Sequence, residues 1–247
     1  MQNNFDSALV EHATLSLASR AGITTVETRL LRLKDRHALL VRRFDRGKGA
    51  HRIDCISAGT AIRASHTVAG SSAELGYPAL AHALMRNGVT ANLQHQQEAR
   101  ELFRRMVFNI LVGNTEDHEK THSLLVEFEN AHGHLKLAPA YALKPACSYK
   151  TTQSFACGLS GQDATLLNAM SNCAAFGLLE AEAAWEISSL AALVDTWKLH
   201  FAAVGVSNAD IAVIACHLDS TRLHQARADF QQRYPMAIRH ERPCAPF

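Results

Sequence analysis

RRMVFNILVGNTEDHEKTH, residues 104–122, is the stretch that decides how this chain reads. Leu102, Phe103, Met106, Val107, Ile110 and Leu111 recur at helical spacing and mark one apolar face, while Arg100, Arg104 and Arg105 fall elsewhere on the cylinder. The spacing predicts a helix over 96–112, stopped by Gly113-Asn114. Residues 115–122 then gather acids, bases and amides into a polar loop. Leu124–Phe128 and Leu135–Ala138 read as the two strands of a hairpin, joined by Glu129-Asn130-Ala131-His132-Gly133. A loop held between a buried helix and a hairpin can fix reactive groups in space.

Upstream of this stretch, Leu9, Val10, Ala13, Leu17 and Ala18 predict a helix over 6–21 that stops at Gly22. Thr28–Leu33 and Ala38–Arg43 read as a first hairpin, with residues 34–37 as its turn. A Ser-, Gly- and Ala-rich region with weak periodicity follows, and Tyr77–Arg86 resumes a helix, with Pro78 in its first turn. Downstream, residues 145–160 read as irregular, and 163–176, 179–204 and 208–233 as helices punctuated by Gly177 and Gly205. Strands in antiparallel pairs, rather than in alternation with helices, give an α+β class dominated by helix and disfavour a doubly wound parallel sheet.

Composition narrows the function. With 47% hydrophobic and 19% charged residues the 247-residue chain is globular rather than disordered. A net charge of +2 supplies no overall field for nucleic acid or anionic membrane. Apolar runs such as Met106–Val112 fall far short of the roughly 20 residues that span a bilayer. The first 20 residues lack a secretory pattern, and the six cysteines form no Cys-x-x-Cys pair, so reduced thiols in the cytoplasm are expected.

Two chemistries overlap in the loop. Phosphoryl transfer needs a carboxylate to accept a hydroxyl proton, then oxygen ligands on the loop and the next strand to hold Mg²⁺. His118-Glu119-Lys120-Thr121-His122 also satisfies H-E-x-x-H, the pattern of zinc hydrolases, which requires both histidines one turn apart on a continuous helix. The helix ending at Gly113 argues against zinc. A solvated charged loop is the plain alternative to both.

Residues 104–122, followed by LAPAYALKP at 137–145, resemble the core of the HipA-type serine/threonine kinase toxins. LVRRFDR at 40–46 resembles that family's hinge strand and LASRAGI at 17–23 its preceding helix, with coverage over roughly residues 5–220. The resemblance implies a protein-kinase-like large lobe with a mostly helical C-terminal half and a truncated small lobe. Residues 1–48 would be the small-lobe remnant and hinge, 49–235 the kinase lobe and 236–247 a tail. It also implies ATP and Mg²⁺ as cofactors and a serine hydroxyl as acceptor, in this family often on an aminoacyl-tRNA synthetase. A DNA-binding antitoxin is the implied partner.

The family's catalytic loop reads Asn-x-Asp-Asp-His-x-x-Asn-His and its metal strand Ala-Tyr-Asp-Leu. Glu116 falls at the catalytic aspartate, Thr121 at the metal-binding asparagine and Ala142 at the second metal ligand. Asp117 matches the acid beside the base. His118 and Tyr141 stand at nucleotide-site positions, and Arg42 and Phe44 in the hinge where main-chain groups hold adenine. Lys34 and Lys48 are the nearest lysines to the family's phosphate-contacting lysine, and neither matches. These departures predict impaired phosphoryl transfer or a non-catalytic binding module, with Glu116 and Ala142 expected to face a common cleft.

Overall fold

The computed structural model describes residues 5–235 apart from 35, 48, 50, 66–73, 130 and 131, so Lys48 and the tail 236–247 lie outside the described residues. Asp6 opens helix α1 (Ser7–Arg20) by accepting a hydrogen bond from Leu9 N at 3.1 Å. The same carboxylate accepts from His37 N at 3.0 Å and lies 2.7 Å from its ring Nδ1, so one residue caps the helix and docks the hairpin on it. Leu9, Val10, Ala13, Leu17 and Ala18 are buried as the spacing predicts. The helix is closed by Gly22 at φ +73°.

Strand β1 (Thr28–Leu33) pairs antiparallel with β2 (Arg36–Val41), bringing Leu33 opposite Arg36. The turn is therefore tighter than the expected 34–37. Lys34 takes the left-handed conformation at φ 50°, which reverses the chain early and lets Arg36 and His37 join the ladder. A larger difference comes next: the Ser-, Gly- and Ala-rich region, to which its weak periodicity assigned no element, contains β3 (Asp54–Ser57) and α2 (Ala58–Ser65).

Helix α3 (Tyr77–Asn87) carries Pro78 in its first turn and leads to α4 (Gln94–Leu111). Beyond α4, β4 (Ser123–Glu129) and β5 (His132–Leu137) complete an antiparallel sheet in the order β3-β4-β5, with Ser57 opposite Ser123 and Leu124 opposite Leu137. The C-terminal half is helical but more finely cut than periodicity suggested. It comprises α5 (Leu166–Ser171), a 3-10 turn (Cys173–Phe176), α6 (Glu180–Val194), α7 (Trp197–Val204), α8 (Asn208–Leu218) and α9 (Thr221–Arg233). No helix among the described residues is long and apolar enough to cross a membrane.

Helix α4 is the centre of the molecule, packed against α3, α6 and β5. Its second half is buried on every side, Arg105 to Val112 without exception, rather than along one face. Arg105, expected on the polar side, is 2% exposed. Its Nη1 donates to Ala138 O at 2.9 Å and its Nη2 to Thr24 O at 3.4 Å, while Glu101 one turn back pairs with it. The guanidinium thus ties the approach to β1 to the exit of β5. Arg100 and Arg104 reach instead to the buried Glu186 of α6, by Nε at 2.7 Å and by Nε and Nη2 at 2.8 Å each.

Candidate functional site

Gly113, at φ +64°, ends α4, and residues 114–122 run as turns and bends straight into β4. With no helix through 118–122, the two histidines of the H-E-x-x-H match lack the shared face that zinc chemistry requires. His118 Nδ1 accepts from Lys120 N at 3.1 Å, and His122 is buried between the rings of Tyr77 and Phe155. Among the described residues no group of three or more His, Cys, Asp or Glu side chains is placed to hold a metal ion.

The loop folds around Asp117, which is 1% exposed. Tyr77 at the start of α3 donates its hydroxyl to Oδ2, and Thr121 Oγ1 donates to Oδ1 at 2.8 Å. His122 Nε2 lies 2.8 Å from Oδ1, an ionic contact bent away from hydrogen-bond alignment. The network continues into α4. Asn109 Nδ2 donates to the Tyr77 hydroxyl at 2.8 Å, and Asn114 Nδ2 donates to Asn109 Oδ1 at 3.0 Å. Burial favours the neutral acid, but the His122 charge and the hydrogen bonds outweigh it and hold the Asp117 carboxyl below the usual carboxylate range. Burial first, and then the Asp117 charge, push the Tyr77 phenol well above its ordinary value.

Its neighbour is in the opposite situation. Glu116 is 64% exposed and reaches Lys150 Nζ at 3.0 Å. Thr121, which the family resemblance sets at a metal-ligand position, acts as a staple. Its Oγ1 lies 2.8 Å from both Asp117 Oδ1 and His118 O, and it accepts from His118 N at 3.2 Å. Ala142 sits at the base of the loop, its carbonyl 3.5 Å from Asn114 Nδ2, with no side-chain donor to offer. It adopts φ +54°, a left-handed conformation that aspartate and asparagine take more readily than alanine, at a cost of about 1–2 kcal/mol. The segment containing Ala142 and the loop are thus brought together, but the Glu116 carboxylate turns to Lys150 and solvent.

The hinge positions are also joined to the loop. Phe44 and Tyr141 stack with centroids 5.7 Å apart. The Tyr141 hydroxyl donates to Lys120 O at 3.0 Å and lies 2.7 Å from Ser123 Oγ, so this ring braces hinge, loop and β4 at once. Arg42 extends β2 through its N–H to Glu27 O at 2.9 Å, and its exposed guanidinium pairs with the equally exposed Glu27. Sequence reasoning missed Tyr77 and Asn109. Nothing in the sequence relates Tyr77 to a loop 40 positions away, and Asn109 lies within the helix 96–112 with no signal that sets it apart.

A polar loop thus leaves the buried helix α4 and enters the β4–β5 hairpin, with the β1–β2 hairpin packed on α1. Among solved structures, the chain resembles a Shewanella oneidensis MR-1 HipA, described in complex with HipB and its operator DNA. The TM-score is 0.67 and the identity 15%, over 94% of this chain and 56% of that one. It also resembles the Helicobacter pylori proinflammatory kinase CtkA, with a TM-score of 0.63 and 11% identity over 93% of this chain and 89% of that one. A family model, the HipA-like C-terminal domain, matches residues 2–197. The chain belongs to the HipA-like C-terminal domain family, and it spans 56% of the length of the Shewanella HipA. No curated protein matches it.

Proposed function

We propose that this chain is a HipA-type serine/threonine kinase lobe in which phosphoryl transfer is impaired, and that it serves a toxin-antitoxin system as a non-catalytic binding module. The observation that carries this reading is the fate of the two adjacent loop carboxylates. Asp117 is sealed under Tyr77, Thr121 and His122, where it cannot accept a substrate proton. Glu116 is exposed, and its carboxylate lies 3.0 Å from Lys150 Nζ.

The donor set does not fit Mg²⁺, which demands near-octahedral oxygen coordination usually anchored by carboxylates. Ala142 offers no ligand, and Thr121 commits its hydroxyl to Asp117 and His118 O. No catalytic step is therefore assigned to Mg²⁺-ATP here. Residues 1–48 are proposed as the small-lobe remnant and hinge, braced on the lobe by Val26 N to Ala140 O at 3.0 Å and Ala140 N to Thr24 O at 2.8 Å. The HipB and operator DNA described with the Shewanella HipA support a DNA-binding antitoxin as the partner. An aminoacyl-tRNA synthetase is the acceptor that the family resemblance implies for a competent relative. Free thiols at Cys55, Cys147, Cys157, Cys173 and Cys216 support a cytoplasmic setting.

Radiolabel transfer from ATP to the chain or to a synthetase is the test. The expected result is no transfer, unchanged in Glu116→Gln. Robust transfer by the native chain that Glu116→Gln abolishes would overturn the impaired reading and make Glu116 a working base.

A further inference from the structure

Away from the loop, a cleft of about 610 Å³ opens between α9 and the chain leading into α5. Its α9 wall carries Arg222, Gln225, Ala226 and Asp229 at helical spacing, and the other wall carries Asp163 and, on α5, Leu167. Arg222 is half-buried, and its one hydrogen bond among the described residues runs from Nη1 to Ala164 O at 3.5 Å, the outer limit of such a bond. Burial pushes the guanidinium below its ordinary value, and the nearby Asp163 charge opposes that shift without a hydrogen bond between the two. Arg222 is therefore a cation that has lost water without gaining a matching partner, with N–H donors open to the cleft. Both carboxylates are held by one oxygen only. Thr165 Oγ1 donates to Asp163 Oδ2 at 3.3 Å and Gln225 Nε2 to Asp229 Oδ1 at 2.7 Å, which leaves Asp163 Oδ1 and Asp229 Oδ2 for a ligand.

We propose that this cleft binds a basic α-amino acid of the lysine type, its α-carboxylate on Arg222, its α-ammonium on Asp163, its side-chain cation on Asp229 and its methylenes against Leu167 and Ala226. Charge selects this class. One guanidinium and two carboxylates give the lining one negative charge in excess, which the net positive charge of such a ligand cancels. A simple anion would meet two carboxylates, and a simple diamine would meet Arg222. Length selects it too. Arg222 and Asp229 are seven residues apart on one face of α9, about 10.5 Å along its axis, a span that a lysine-length molecule bridges with a hydrogen bond at each end. Arg222 and Asp229 lie beyond the family-matched residues 2–197, so the test of this cleft is separate from that of phosphoryl transfer.

Calorimetric titration of the full chain with L-lysine at low ionic strength is expected to show saturable binding, with a dissociation constant of about 1 mM or tighter. Three analogues each remove one anchor. Cadaverine lacks the carboxylate and ε-aminocaproate the α-ammonium, and each should bind at least about tenfold more weakly than lysine. L-Norleucine lacks only the side-chain cation, whose partner Asp229 is exposed, and should lose about threefold. Asp229→Asn removes the same contact from the protein side. It should weaken lysine about threefold and leave norleucine unchanged, because the two changes share one interaction. Arg222→Met keeps the apolar stem and loses the charge, and should weaken lysine by about tenfold or more while leaving cadaverine unchanged or tighter. Thermal melting of each variant separates lost binding from lost folding. If Arg222→Met does not fold, Asp229→Asn, on an exposed side chain, carries the decision. Absence of saturable lysine binding, any analogue matching lysine, or equal weakening of lysine and norleucine by Asp229→Asn would each overturn the proposal.

Discussion

Asp117 in the loop and Glu186 on α6 are both buried carboxylates held ionised, and their partners differ in kind. For each, burial pushes the carboxyl up and its partners bring it below the ordinary value. Glu186 is gripped by two guanidiniums, Arg100 and Arg104, whose charge is permanent. Asp117 has a phenol, a hydroxyl and an imidazole. The arginines around Glu186 are 31% and 22% exposed and can be rehydrated if the acid is lost, whereas Tyr77 and His122 are 0% and 4% exposed and cannot. The first arrangement is a brace between helices. The second makes Asp117 part of the core, which is why the loop keeps its shape.

The comparison breaks most visibly in Asp117→Ala. Removing the acceptor from two buried groups, Tyr77 and His122, and from the half-buried Thr121 should cost about 3–5 kcal/mol, and Glu186→Ala, with its partners nearer water, should cost less, about 2–3 kcal/mol. Urea unfolding of both variants checks the order, and equal or inverted costs would show that the loop network is not the more demanding one. Acid sharpens the same contrast. A carboxyl whose folded pKa is depressed contributes stability that is present above its unfolded value, 3.8 for Asp117, and is lost as pH falls through the lower folded value. Asp117→Asn should therefore flatten the decline in stability below about pH 4 relative to the native chain.

Tyr77→Phe comes next. It leaves Asp117 short of one donor and Asn109 short of its acceptor, for an expected loss of about 1–3 kcal/mol. Because the two residues share one hydrogen bond, the double variant with Asp117→Asn should cost less than the sum by about 1 kcal/mol, while Tyr77→Phe and Glu186→Gln, which share no partner, should add. Additivity between Tyr77 and Asp117 would mean that their contact carries no coupling.

Much of the architecture was legible because it is local. Helix α4, the stop at Gly113 and both hairpins follow from spacing and from turn residues. What escaped depends on partners far away in the chain. Asp54–Ser57 has no alternation of its own and becomes a strand because β4 pairs with it. Residues 58–65 bury Ala58, Gly59, Ala61 and Ile62, small residues on a helix of only 8 residues, so its pattern is too short to stand out from the Ser-, Gly- and Ala-rich surroundings. Arg105 was placed with the polar residues because nothing in the sequence announces the carbonyls of Ala138 and Thr24 that satisfy it. In the loop and the segment beside it, the family resemblance singled out Glu116, Asp117, Thr121 and Ala142, but not that Asp117 is sealed and Glu116 exposed. That difference is made by Tyr77, which arrives from another helix.

The smallest expected effect falls on the residue with the most prominent family position. Glu116 and Lys150 form a single ion pair, 64% and 58% exposed, in which solvent and salt screen the attraction and two long side chains must be ordered to make it. Glu116→Ala should change unfolding free energy by no more than about 0.5 kcal/mol, and that difference should shrink further in about 0.5 M salt. The adjacent substitution, Asp117→Ala, is expected to cost several times as much although it removes the same chemical group. A loss above about 1.5 kcal/mol in Glu116→Ala, independent of salt, would place Glu116 in a buried network like that of Asp117 and erase the contrast between the two carboxylates.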